Sequence, residues 1–279
     1  MNILLTGASG FIGKHLTTAL VNAGHQVKPV TRSNGLDFNC MTTMENWLPH
    51  LQDIDAVINC VGIIAETGNQ SFEILHHQAP IALFKACTES GIKRVIQISA
   101  LGTNENAITP YHTSRKKADD VLRTLSLDWF ILRPSLVYGR GGKSMNMFQQ
   151  LSSLPVIPLM DGGKQIVQPV HISDLVETIV ICLTRNESRI TLDVVGASAV
   201  SLKDWLQLMR TTKNKKQAMI IPVPYRLSMA IARFSRFFIP LTHPDNLRML
   251  RQGYYTDVTP FAKFLGHMPL DLKTGWSQL

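Results

Sequence analysis

The sequence predicts an α/β fold: a doubly wound parallel sheet with a smaller C-terminal region serving as substrate site or lid. Three observations carry that expectation. The chain opens on an apolar run that enters a glycine-rich turn, "NILLTGASGFIG"; short apolar runs then alternate with helical stretches; and the last third turns to Gly, Met, Pro and basic residues. With 279 residues, 45% of them hydrophobic and 17% charged, the chain has enough apolar material for a real core and is not composed like a disordered protein.

The first element is the strand "NILLT". Gly7, Gly10 and Gly13 follow it and open a segment whose Ile12, Leu16, Ala19, Leu20 and Ala23 recur at helical spacing, with Gly24 as the stop. Strand, glycine turn and helix in that order form a dinucleotide-binding unit of Rossmann type. The glycines let the backbone approach a pyrophosphate, and the helix N-terminus offers free N–H groups to it. The next strand, "HQVKPVTRS", has no acid at Val30 or Thr31 to grip the ribose of NAD. Arg32 and Ser33 stand there instead, as expected where a 2′-phosphate is held, so the expected cofactor is NADP rather than NAD.

The alternation continues through the strand "DAVINCVG", a helix around "FEILHHQAPIALFKACTESG" and the strand "RVIQIS". Pro80 is expected to kink that helix or mark its true start. His76, His77, His112 and His171 show no H-x-x-x-H pair and no accompanying Cys or acid cluster, so no metal site is expected. Asp119 and Asp120 read as the solvated face of their helix, and Asp174 as the cap or start of another. Cys40, Cys60, Cys87 and Cys182 form no C-x-x-C pair and read as reduced core residues.

The stretch "GRGGKSMNMFQQLSSLPVIPLMDGGK" reads as a flexible connection over the cofactor. Its Met145, Met147, Phe148, Val156, Ile157, Leu159 and Met160 suit either an apolar ligand or a buried loop core. "ITLDVVG" adds a strand, and "SLKDWLQLMRTT" a helix N-capped by Ser201. In "PYRLSMAIARFSRFFIP", Leu227, Ala230, Ile231, Phe234, Phe237 and Phe238 share one helical face, with Arg226, Arg233 and Arg236 opposite. Basic amphipathic helices of this kind meet anionic membrane surfaces, partners or their own domain. The expected organisation is a cofactor domain over 1–200, with 139–170 contributing to the substrate pocket, and a C-terminal region over 201–279. The opening residues lack a signal peptide's charged and apolar regions, so the expected location is the cytoplasm, peripheral to the inner membrane face if the 225–239 helix meets lipid. The net charge of +8 suits phosphorylated ligands, anionic membranes or nucleic acid. Nucleic acid is not expected, because the basic residues are not interleaved with stacking aromatics.

From Thr6 to Gly13 the chain resembles the short-chain dehydrogenase/reductase superfamily, whose fingerprint is T-G-x-x-G-x-x-G. "NCVG", "GIKRVIQISALG", "WFILRPSLVYG" and "QPVHISDL" are similar to its atypical, extended branch, which includes the accessory subunit of mitochondrial respiratory complex I. The likeness runs to about residue 185. It implies a catalytic Tyr at Tyr111, an orienting Ser at Ser99, and Arg115 where catalytic members carry Lys. Lys116 and Lys117 point roughly 140° and 240° away from Tyr111 on a helix and do not substitute. Arg115 could supply charge and ribose hydrogen bonds, but a guanidinium stays protonated and cannot relay a proton.

The resemblance further implies cofactor contacts from Gly7, Ser9, Gly10, Phe11, Ile12, Gly13, Arg32, Ser33, Asp37, Cys60, Val61, Gly62, Tyr111, Arg115, Pro134 and Leu136. The expected function is an NADP-dependent oxidoreductase or epimerase-like enzyme acting on a small apolar carbonyl or quinone-like substrate. The alternative is a catalytically weak or inactive cofactor-binding scaffold near a membrane complex.

Overall fold

A computed structural model describes residues 1–235 and 243–278. Its central feature is a six-stranded sheet made of β1 (Asn2–Thr6), β2 (Gln26–Val30), β3 (Ala56–Asn59), β4 (Arg94–Ile98), β5 (Asp128–Pro134) and β6 (Ile190–Val194), in the order β6-β5-β4-β3-β1-β2. β1 pairs in parallel with both β2 and β3, β3 with β4, and β4 with β5. The inner strands are apolar runs because both faces are covered. Ile3, Leu4, Leu5, Val57, Ile58, Val95 and Ile96 are all fully buried.

The chain leaves β1 toward β2 on one side and leaves β3 toward β4 on the other. The order therefore reverses between β1 and β3, which is where an open α/β sheet has its ligand crevice, at the strands' carboxyl ends. The glycine turn and the "NCVG" segment both arrive there. Pro80 lies inside a continuous helical run: the π-helical turn Glu73–Gln78 passes directly into the regular helix Ala79–Glu89, with Gln78 and Ala79 both helical, so the missing Pro80 N–H falls just after the π turn that interrupts the regular hydrogen bonding.

The chain divides into two compact and interleaved units, residues 1–134 with 175–193, and residues 135–174 with 194–278 of the described chain. In the second unit, the stretch expected to be a flexible connection is ordered. It forms the helix Lys143–Ser153 and the strand Val156–Met160, which pairs in parallel with Met219–Val223. The reason is burial: Met145, Phe148, Ile157 and Leu159 pack with Trp205, Leu206 and Met209, so these apolar side chains form a core. Ser201 caps the helix Leu202–Thr211, as expected, by accepting from Asp204 N at 3.1 Å.

Two expectations are corrected. Asp119 is fully buried, because its carboxylate turns inward to Ser99 rather than to solvent. Cys87 and Cys182 are buried, but Cys40 is exposed at the end of a 3₁₀ turn; all four are free thiols. Asp174 stands in the first turn of Ile172–Thr184, at the helix start as expected, and also accepts from Leu270 N at 3.0 Å, fastening the distant C-terminal segment.

The helix Tyr225–Ser235 buries Met229 and Ala232 and leaves Leu227, Ile231 and Phe234 outward. Arg236, Phe237 and Phe238 of the expected amphipathic face lie outside the described residues. No helix among the described residues is long and apolar enough to cross a membrane.

Candidate functional site

The glycine turn is shaped by close approach. Gly7 has φ +70°, and a Cβ on it would come within 2.9 Å of the Cys60 carbonyl carbon and oxygen. A Cβ on Gly13 would collide with the Gly7 carbonyl oxygen and the Ala8 backbone. Gly7 thus lets the turn pass against the β3 segment, and Gly13 lets the helix Phe11–Asn22 seat against the turn. Gly10 is the N-cap and has no side chain to cap the helix, so the first N–H groups stay available beside the exposed Ser9 and the half-buried Phe11 and Ile12. The close-packed turn thus leads into a helix N-terminus that carries Gly10 in place of a capping side chain, an arrangement that fits the pyrophosphate of a dinucleotide.

The floor of the crevice is polar and satisfied. Thr6 Oγ1 donates to Asn59 Oδ1 at 2.5 Å, Asn59 Nδ2 donates to Gln97 Oε1 at 2.7 Å, and Val61 N donates to Asn59 Oδ1 at 3.2 Å. Asn59 therefore fixes the turn that presents Cys60, Val61 and Gly62. Burial pushes the Cys60 thiol up to about 12 against the pull of Arg115, so it stays protonated at neutral pH.

At the edge of the sheet, Arg32 opens a 3₁₀ turn, Arg32–Asn34, and is exposed with no ion-pair partner among the described residues. Ser33 Oγ lies 2.8 Å from Thr31 Oγ1, and Asp37 caps the next turn by accepting from Asn39 N at 3.0 Å.

The helix Pro110–Thr124 begins at Thr109, whose hydroxyl accepts from His112 N at 3.4 Å, with Pro110 at its first position. Tyr111 sits half-buried at that start, edge-on to Phe72, His76 and His112. Arg115 is buried beneath it, its guanidinium carbon 5.0 Å from the Tyr111 ring centre. Arg115 Nη1 donates to Ile98 O at 2.7 Å, and Nη2 comes so close to Gly62 that a Cβ there would collide with it. The guanidinium thus fills the space between the end of β4 and the β3 turn, and Gly62 is what makes room for it. Lys116 and Lys117 turn away, to Glu105 with Asp120 and to Glu73 respectively.

Ser99 follows β4, and its hydroxyl donates to Asp119 Oδ2 at 2.5 Å. Burial raises the Asp119 carboxyl to about 6, although the Ser99 bond and the charges of Arg123, Arg115 and Arg133 pull it down. Pro134 O, at the end of β5, accepts from Leu101 N at 2.9 Å and secures the loop after Ser99. Leu136 belongs to the second unit, where its carbonyl accepts from Val170 N at 3.0 Å.

Sequence reasoning missed His76. Its Nε2 accepts from Ile63 N at 3.0 Å, which places the proton on Nδ1, 3.1 Å from Ser114 Oγ; that hydroxyl in turn donates to Tyr111 O at 3.0 Å. Burial, with the charge of Arg115 adding to it, holds His76 well below its ordinary value, so the ring stays neutral. His76 therefore ties the β3 turn to the first turn of the Tyr111 helix. The π-helical turn rotates it inward while His77 pairs with Glu73 near the surface, and no sequence period distinguishes the two. Among the described residues, no group of three His, Cys, Asp or Glu side chains is placed to hold a metal.

Comparison with known proteins adds to this geometry. The profile of the NAD dependent epimerase/dehydratase family matches residues 3–195. The chain is 27% identical over 186 residues to the rat "NADH dehydrogenase [ubiquinone] 1 alpha subcomplex subunit 9, mitochondrial", covering 61% of this chain and 49% of the rat protein, so the match spans about half of that relative. It is 24% identical over 221 residues to the ceramide reductase of Caulobacter vibrioides, covering 75% of this chain and 68% of that one. A solved structure of UDP-glucuronic acid 4-epimerase from Bacillus cereus, in complex with UDP-glucuronic acid and NAD, superposes with a TM-score of 0.73 at 18% identity, covering 100% of this chain and 97% of the other; at that identity the likeness concerns the fold.

Proposed function

The chain belongs to the NAD dependent epimerase/dehydratase family, and from that premise we propose that it is an NADP(H)-dependent oxidoreductase acting on a small apolar carbonyl compound. The observation that carries this reading is the cradle at Gly7 and Gly13, where Cβ atoms have no room and a helix N-terminus is left uncapped. Gly7, Ser9, Gly10, Phe11, Ile12 and Gly13 would hold the pyrophosphate, Cys60, Val61 and Gly62 would line the adjoining side, and Arg32 with Ser33 would meet a 2′-phosphate. A bound nicotinamide supplies or accepts a hydride. The chain's own part is proton delivery: the Tyr111 phenol gives its proton to the substrate oxygen as that oxygen becomes a hydroxyl. Arg115 holds Tyr111 from below with its positive charge, and His76 fixes the distance between Tyr111 and the β3 turn. The similarity to a ceramide reductase supports a reductase of apolar substrates over an epimerase of sugar nucleotides.

The test is calorimetric titration with NADPH and with NADH, repeated on Arg32→Ala. NADPH affinity should fall about tenfold or more in the variant while NADH affinity stays level, because one charge-assisted phosphate contact is lost. Equal affinity for both nucleotides in the unaltered protein defeats the NADP assignment. Tyr111→Phe should retain nucleotide affinity and lose carbonyl reduction.

A second reading is a cofactor-bound scaffold without turnover at a membrane complex. It is favoured by the inward lock of Arg115 on Ile98 O and by the commitment of the Ser99 hydroxyl to Asp119. The outward Leu227, Ile231 and Phe234 favour a membrane-peripheral setting for it. Arg115→Lys separates the two readings: a rise in NADPH oxidation identifies the missing Lys as the restraint on chemistry, and unchanged nucleotide binding without any oxidation supports the scaffold.

A further inference from the structure

The second unit carries an apolar surface that its own fold leaves uncovered. In the paired strands Val156–Met160 and Met219–Val223, Met219 lies opposite Val156 and Ile221 opposite Pro158. Alternate residues of a strand point to opposite faces. Ile157 and Leu159 enter the core, while Val156, Pro158, Met219 and Ile221 stand together on the outer face, with Met219 66% exposed. Leu154 and Pro155 extend this strip at its head, and Met219 N donates to Pro155 O at 3.0 Å.

The head of the strip is cationic by construction. Buried Arg210 donates from Nε to Lys216 O at 2.7 Å, and from Nη1 to Ser152 O at 2.6 Å and to Leu154 O at 2.7 Å. One guanidinium thereby fastens the exposed loop bearing Lys215 and Lys216 to the start of the apolar strip. Neither lysine has an ion-pair partner among the described residues. The sequence contains no Asp or Glu from residue 129 to 160 or from 205 to 244, so both strands run through carboxylate-free chain. Asp161, beyond the far end, accepts from Tyr225 N at 3.1 Å.

We propose that this outer face, with Lys215 and Lys216 at its head, docks on an anionic lipid bilayer. Exposed apolar side chains beside unpaired lysines match the boundary between headgroups and acyl chains. Strand addition by a protein partner is disfavoured, because Pro155, Pro158, Pro222 and Pro224 remove backbone donors along the pair. The proposal deepens the membrane-peripheral reading, rests on it, and needs no bound nucleotide.

The experiment is flotation of the full chain with phosphatidylcholine vesicles that contain or lack phosphatidylglycerol. Binding is expected only with phosphatidylglycerol and should weaken as salt rises. Lys215→Glu with Lys216→Glu should lower it roughly tenfold or more, taking about one kcal/mol per surface cation and a factor of ten per 1.4 kcal/mol. Met219→Ser with Ile221→Ser should lower it several-fold while leaving the circular dichroism unchanged. Failure to float with either vesicle defeats both this proposal and the peripheral reading. Loss of binding on Phe234→Ser alone, with both paired variants floating as the unaltered chain does, defeats the strip and leaves the peripheral reading standing. A dimer by light scattering that Met219→Ser dissociates assigns the strip to a second copy and overturns the lipid assignment.

Discussion

The molecule contains two parallel strand assemblies built on different terms. The six-stranded sheet of the first unit is apolar on both faces because both are covered, and its ends converge on the glycine cradle. The strand pair Val156–Met160 with Met219–Val223 is also parallel and also apolar on both faces, yet only one of those faces is buried. Apolar patterning therefore means core in the first case and an external contact in the second. The same contrast applies to charge: in the first unit Arg115 is enclosed and committed, whereas in the second Lys215 and Lys216 are exposed and uncommitted.

The strongest way to sharpen this contrast is Gly13→Ala. The added methyl meets backbone that cannot yield, so nucleotide binding should be abolished and stability should fall by about 3 kcal/mol, read from calorimetry and denaturant midpoints. Ile157→Ala should cost about 2–5 kcal/mol, since it opens a cavity next to Trp205. Met219→Ala, at a cross-strand neighbour position but facing outward, should change the unfolding free energy by no more than about 0.5 kcal/mol. If both substitutions cost the same, the strip is covered and the comparison fails.

A smaller effect concerns pH. The Asp119 carboxyl rises from 3.8 to about 6 on folding, so the folded state binds its proton more tightly than the unfolded chain does. Its contribution is full below about pH 4 and is lost as pH rises through about 6. Asp119→Asn should remove that decline, up to about 3 kcal/mol, and the difference between the two stability curves isolates it. The buried neutral His76 and His112 act in the opposite sense, losing stability as pH falls, and are common to both proteins. The smallest expected effect is His76→Gln, which can keep a hydrogen bond toward Ile63 N: KM for the nucleotide should rise a few-fold while the fold persists, whereas His76→Ala should also lower the unfolding free energy by about 1–3 kcal/mol by leaving buried groups unpaired.

How much was legible in advance divides along the same line. The strands, the glycine turn and the Ser201 cap follow from local rules: period, backbone permissiveness and capping act within a few residues of their cause. The inward turn of Asp119 does not, because it depends on Ser99, twenty residues earlier, arriving just past the end of β4 beside it. Arg115 is similar. Its position in the Tyr-x-x-x-Lys pattern is visible in sequence, but its burial against Gly62 and Ile98 O requires β3, β4 and the helix to be assembled. The Lys143–Met160 stretch looked like a loop from its Gly, Ser and Pro content, and becomes helix and strand because its apolar residues meet a core supplied by Leu202–Thr211.

By itself, then, the sequence determined a doubly wound sheet, a nucleotide cradle at Gly7 to Gly13, a Tyr with Arg four residues later, and an excess of basic residues. The tertiary structure decided which polar side chains are enclosed, which His joins the Tyr111 helix to the β3 turn, and which apolar face remains open. The physical reason is that backbone conformation and periodicity are set by neighbours along the chain, whereas desolvation and pairing are set by neighbours in space.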